Sequence, residues 1–137
     1  MTPTLYWLIG AATILSLTHH VDHVLRGATG WPLTGDFNPF TYSLFVYPVI
    51  AVGVTLSLRG TVGPRFWSFL SAGGALFVGA VHLGPVAGDA LAEIPGQYAS
   101  PLAGAVALGL LAAFVAVLVG TFLYEIRLAS RARRRVR

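Results

Sequence analysis

The chain contains no cysteine. Disulfides, thiolate metal sites, iron–sulfur clusters and cysteine nucleophiles are therefore excluded. Lysine is also absent, all nine basic residues being arginine, which removes Schiff-base chemistry of the retinal or pyridoxal kind. Charge of either sign is scarce. Only 10% of residues are charged, against about 25% in a soluble domain, and this shortage excludes an ordinary water-soluble globule. Disorder is excluded for the opposite reason, since it requires low hydrophobicity and high charge. Any metal ion must be held by His, Asp, Glu or backbone oxygen.

What is present is apolar. Hydrophobic residues make up 55% of the 137 positions and the mean hydropathy is +0.74, the composition of a membrane protein. A bilayer-spanning helix needs about 20 mostly apolar residues. Four stretches qualify, at about 4–24, 40–58, 66–86 and 102–123. Runs this long without period-two alternation are helices rather than barrel strands. The expected fold is an all-α integral membrane protein. It is a four-transmembrane-helix bundle with short outer loops, divided into a membrane domain over 1–126 and a basic tail over 127–137. Pro39 and Pro101 each open a span, where the missing N–H costs nothing. Gly74, Gly79, Gly104, Gly109, Ala112 and Ala116 are expected to pack spans three and four closely.

The first span is expected to be retained. A signal peptide begins with a basic region and ends at small residues, whereas 1–6 has no Arg and the apolar run ends in Leu17-Thr18-His19-His20. Basic loop residues stay on the cytoplasmic side. Arg59 and Arg65 lie between spans two and three, and Arg127, Arg131, Arg133, Arg134, Arg135 and Arg137 follow span four. Against these eight stands Arg26 alone, so both termini are expected in the cytoplasm of a plasma-membrane protein. The arginine tail reads as a topology anchor that meets anionic lipid headgroups, worth about 1 kcal/mol per residue. No aromatic residue interleaves it, so a nucleic-acid partner is not expected. Glu125 beside Arg127 reads as interface charge. Trp31, Phe37, Phe40, Tyr42 and Tyr98 read as an outer aromatic belt.

The segment His19-His20-Val21-Asp22-His23-Val24-Leu25-Arg26 carries the chemistry. Residues at i, i+3, i+4 and i+7 share a helix face, and His19, Asp22, His23 and Arg26 have that spacing, with His20 on the flank. The fourth histidine, His82, sits in the outer half of the third span. Counting 1.5 Å per residue from the cytoplasmic end puts His20 and His82 at about the same depth, roughly 24–26 Å. Imidazole is the usual ligand for zinc, copper, iron or nickel. Two histidines at i and i+4 can grip one ion, and a third ligand from another helix leaves an open coordination position. The expected metal ligands are His19, His23 and His82. His20 and Asp22 are an additional ligand or orient one, Arg26 is a possible anion contact, and Asp89 and Glu93 are acids of the outer loop within reach. The zinc-protease motif, with Glu directly after the first His, is absent.

Three functions follow from this reading. The first is a membrane protein with an outward-facing transition-metal site (Zn, Fe or Cu) for hydrolysis, redox chemistry or metal handling. The second is a b-type cytochrome with a single haem held by His19 or His20 with His82. The third is a non-catalytic subunit of a homo-oligomer or larger membrane complex. Because the chain lacks cysteine, topology is testable with single introduced thiols. Thr61→Cys is expected to react with a membrane-impermeant maleimide only from the cytoplasmic side, and Ser100→Cys only from outside. The reverse pattern refutes the orientation.

Overall fold

The structure is a computed structural model and describes residues 2–29, 38–83 and 90–134, the side chains of 132–134 excepted. The described residues are all helical or loop, with no strand. The helices are α1 (Pro3–Leu25), α2 (Pro39–Ser43), α3 (Val46–Leu58), α4 (Pro64–Leu83) and α5 (Pro101–Arg134), with a 3-10 turn at Ile94–Gln97. Proline stands at the start of α1, α2, α4 and α5. Thr2 caps α1 by accepting from the Leu5 N–H, and Asn38 caps α2 by accepting from the Thr41 N–H. Ser100 accepts from the Ala103 N–H at the start of α5.

Three helical segments are long and apolar enough to cross a membrane: Pro39–Leu58, Pro64–Leu83 and Pro101–Arg131. The 23-residue α1 is long enough but is not among them, because His19, His20, Asp22 and His23 fill its last two turns. The second expected span is broken rather than continuous. Leu44 and Phe45 separate α2 from α3, one turn before Pro48. Pro48 has no N–H to return to the Leu44 carbonyl, and the junction is instead closed by tighter bonds such as Leu44 N–H to Thr41 and Phe45 N–H to Tyr42. The last helix is longer than the expected span, since α5 runs through Arg134 and takes most of the basic tail into the helix. Residues 84–86 of the third expected span lie outside the described residues, as do Trp31, Phe37, Asp89, Arg135 and Arg137.

Contacts at the two ends set the helix order. At the near end, the Thr2 hydroxyl and the Tyr124 hydroxyl are 2.9 Å apart, joining the start of α1 to the last third of α5. The core lies here: Leu5, Ile9 and Trp67 are buried, with Ile50, Val54, Phe66, Leu70 and Tyr124 packed around them. The Trp67 indole donates to the Ser57 hydroxyl at 3.0 Å, and Gly53 brings α3 against the Phe66 and Trp67 rings. Glu125 is also here, and it is buried at 1% exposure rather than the interface charge expected from its position. Neither of its carboxylate oxygens has a hydrogen-bond partner among the described residues.

At the far end, the 3-10 turn folds back onto α5. Ile94 is buried and Pro95 lies against Gly104. Close packing by small residues is confined to a few places. A Cβ at Gly74 would meet Leu118 at ordinary distance, whereas one at Gly79 or Gly109 would have no neighbour within 4 Å among the described residues, and Ala112 and Ala116 are exposed. A side chain at Gly104 would put Cβ 2.8 Å from Pro95 Cα. Gly104→Leu is therefore expected to lose about 1–3 kcal/mol by overpacking, seen as a lowered thermal midpoint in detergent. Gly109→Leu, with nothing within 4 Å, is expected to leave the midpoint unchanged. Equal effects would show that the turn does not dock on Gly104.

Candidate metal centre

The far ends of α1 and α4 bring three imidazoles together. His23 Nε2 is 3.2 Å from His19 Nε2, and His82 Nε2 is 3.2 Å from the same atom. One ligand atom from each of the three lies within 4.8 Å of the other two. His23 and His82 are buried and His19 half-buried. The i, i+4 spacing puts His19 and His23 on one face of α1, and α4 supplies His82 from the side. Phe40 and Phe114 wall the group, with ring centroids 5.7 Å from His23 and 6.1 Å from His19 respectively.

The turn after α1 sets the direction of one ligand. Gly27 has φ +69°, the left-handed conformation that glycine adopts without strain. It closes a Schellman motif, in which Ala28 N–H donates to the His23 carbonyl at 2.9 Å and Gly27 N–H to the Val24 carbonyl at 3.1 Å. The chain reversal aims the Ala28 carbonyl back at its own helix, 3.0 Å from His23 Nδ1. A carbonyl only accepts, so Nδ1 carries the hydrogen. His23 Nε2 then presents its lone pair toward His19 and His82. This is the arrangement in which a backbone carbonyl fixes the tautomer of a metal-binding imidazole.

His20 is turned the other way. Its Nδ1 lies 2.7 Å from the Ser16 carbonyl and 2.8 Å from the Tyr47 hydroxyl, and its Nε2 lies 2.6 Å from the Ser43 hydroxyl. Both ring nitrogens are thus engaged with the α1 backbone and the α2–α3 segment, outside the three-nitrogen group. Asp22 does not join the group either. Its Oδ2 accepts from Arg26 Nε at 2.9 Å, and its Oδ1 accepts from the Tyr98 hydroxyl. Arg26 also donates to Gln97 Oε1 at 2.5 Å. The pair forms a latch that ties the last residue of the 3-10 turn, Gln97, and the residue after it, Tyr98, to the end of α1. Glu93 is exposed and stands apart, and Asp89 lies outside the described residues.

Comparison with known proteins finds no match to a family model, a curated protein or a solved structure. What the arrangement can do must therefore be read from its own atoms. His19, His23 and His82 can hold one metal ion. A cavity of about 890 Å³ opens beside them, with all four histidines in its wall.

Sequence reasoning did not find the roles of Gly27, the Ala28 carbonyl, Gln97 and Tyr98. Gly27 was legible only as a turn former, and Tyr98 lies 76 residues from Asp22 with nothing in the pattern to pair them. His20→Ala is expected to cost about 1–3 kcal/mol, because it strands buried partners, while leaving the three-imidazole group intact. Tyr98→Phe is expected to cost about 1 kcal/mol and to increase protease cleavage within 90–100. Thermal unfolding and limited proteolysis of the two variants check this. An unchanged cleavage pattern in Tyr98→Phe would show that the latch does not hold the loop.

Proposed function

We propose that the protein is an integral membrane four-helix bundle, with both termini in the cytoplasm and its far end outward, that binds one transition-metal ion through Nε2 of His19, His23 and His82. One observation carries this reading: three Nε2 atoms meet, and His23 is locked in the tautomer that turns a lone pair into the group. Metal–nitrogen bonds of about 2.0–2.1 Å at tetrahedral angles put ligand nitrogens about 3.3 Å apart. Two of the three pairs are at 3.2 Å. A proton on His19 Nε2 satisfies one of these contacts well, whereas a cation satisfies both.

Three imidazoles leave a fourth position open, toward the cavity. A site of this kind lowers the pKa of a bound water to about 7 and polarises an oxygen of a substrate. Metal-assisted hydrolysis is the chemistry it suits best. Imidazole ligands suit zinc, copper, iron and nickel alike, so metal analysis decides the ion. The haem alternative is supported less well. Axial ligands approach a porphyrin from opposite faces, and three nitrogens within 4.8 Å of one another, His19 Nε2 lying 3.2 Å from each of the other two, leave no plane for the ring.

Elemental analysis of detergent-purified protein is expected to find one metal per chain. His82→Ala or His23→Ala is expected to weaken binding at least 100-fold, exceeding the 10–100-fold loss typical of an outer-shell partner. His20→Ala retains the metal. Gly27→Val, which strains the turn and swings the Ala28 carbonyl away, is expected to weaken binding 10–100-fold with His23 still present. Acidification releases the ion, because a protonated imidazole cannot ligate. A metal-free wild type, or metal content unchanged in His23→Ala, overturns the proposal. A haem absorption spectrum would establish the cytochrome reading instead, and neither metal nor haem would leave a docking role in a membrane complex.

A further inference from the structure

The cavity beside the three histidines is elongated and graded. Along α4 its wall runs from Trp67 to His82, about 22 Å at 1.5 Å per residue. Polar groups gather at the far end, where Thr29, Asn38 and Ser43 line it with the histidines. Below them it is walled mainly by side chains such as Ile50, Leu70, Phe77 and Leu118, and no Asp, Glu or Arg appears among the described lining residues. The space is also open at the side. Tyr42, Phe45 and Val49 line it while remaining 51%, 64% and 42% exposed, so the broken α2–α3 segment forms one lip of a mouth. In a membrane that mouth faces acyl chains. Small residues on α4 line it: a Cβ at Gly74 would meet, among the described residues, only the Leu118 side chain, at ordinary contact distance.

We infer that this cavity takes a single-chain amphiphile, a long unbranched hydrocarbon carrying an oxygen headgroup, as the substrate of the metal centre. The inference rests on the metal reading above. The chain enters sideways between α2–α3 and α4 and extends toward Trp67. The headgroup oxygen takes the open coordination position, with Asn38 and Ser43 as neighbouring polar groups. Charged metabolites are disfavoured because the channel has no described ion partner for them, and an isolated charge in an apolar wall is costly. A hydrocarbon without a headgroup leaves the fourth coordination position of the metal unfilled. Both ends of the gradient are met by one amphiphile.

The test uses Trp67 as a reporter at the closed end. With Trp7 and Trp31 changed to Phe, Trp67 is the sole tryptophan. The full chain, in phosphatidylcholine nanodiscs and loaded with metal, is titrated with hexadecanol brominated at its terminal carbon. Trp67 fluorescence is expected to fall saturably. Gly74→Leu, which projects toward the cavity-lining Leu118 side chain at ordinary contact distance, is expected to weaken the quenching at least 10-fold while metal content stays at the wild-type level. Ala12→Phe, on the α1 wall, provides a second block. Stripping the metal with a chelator is expected to weaken the apparent affinity about 10-fold. Metal-loaded protein whose quenching only rises linearly with bromolipid content, or is the same in both blocking variants and after chelation, overturns this inference and leaves the metal site standing. Wild type without metal overturns the metal reading, and this inference with it.

Discussion

A single hydrogen bond, from His23 Nδ1–H to the Ala28 carbonyl, organises the far end of the molecule. It depends on backbone geometry that only the residue at Gly27 makes easy, since a side chain at φ +69° is strained. Through it the C-terminal turn of α1 chooses which nitrogen of His23 is protonated, and so where its lone pair points. Everything at the centre follows from that choice. With the opposite tautomer, His23 would present N–H toward His19 and the group would be a hydrogen-bonded pair with a third ring nearby. With this one, three ring nitrogens converge on a point that a cation can occupy.

The polar residues around the centre divide into sets with separate tasks. His20 is committed to Ser16, Ser43 and Tyr47, so it fastens α1 to the broken second helix. Asp22 and Arg26 are committed to each other and to Tyr98 and Gln97, so they fasten the loop before α5. Such commitments are strong where water is excluded, because an unpartnered polar group there costs several times what it costs in water. They leave His19, His23 and His82 as the imidazoles aimed at one another. Glu125 departs from this pattern at the near end, buried with neither oxygen bonded among the described residues.

The break at Leu44–Phe45 connects fold to site. Pro48 removes one ladder bond, the helix is interrupted at Leu44–Phe45, and Ser43 and Tyr47 bond opposite ring nitrogens of His20. The same segment lines the cavity through Tyr42, Phe45 and Val49. It therefore both anchors one histidine and walls the space beside the other three.

Much of this was determined by sequence alone. Long apolar runs with few charges specify helices, because backbone groups out of water must pair within their own segment, and prolines mark where those helices begin. The i, i+4 repeat of His19 and His23 specifies a shared face for the same geometric reason, and counting 1.5 Å per residue brought His82 to their depth. Tertiary structure decided what periodicity and depth leave free, namely the rotation of each helix about its axis and the path of the loops between them. Rotation separated His20 from its neighbour His19, although both stand at one level. Loop path turned Asp22, a candidate ligand, and Arg26, a candidate anion contact, into a latch, since Gln97 and Tyr98 reach them only after the chain has crossed the molecule twice more. Tertiary packing likewise buried Glu125. Helical content is a local property of the chain, whereas the aim of a side chain depends on partners dozens of residues away, and only the folded molecule brings those partners together.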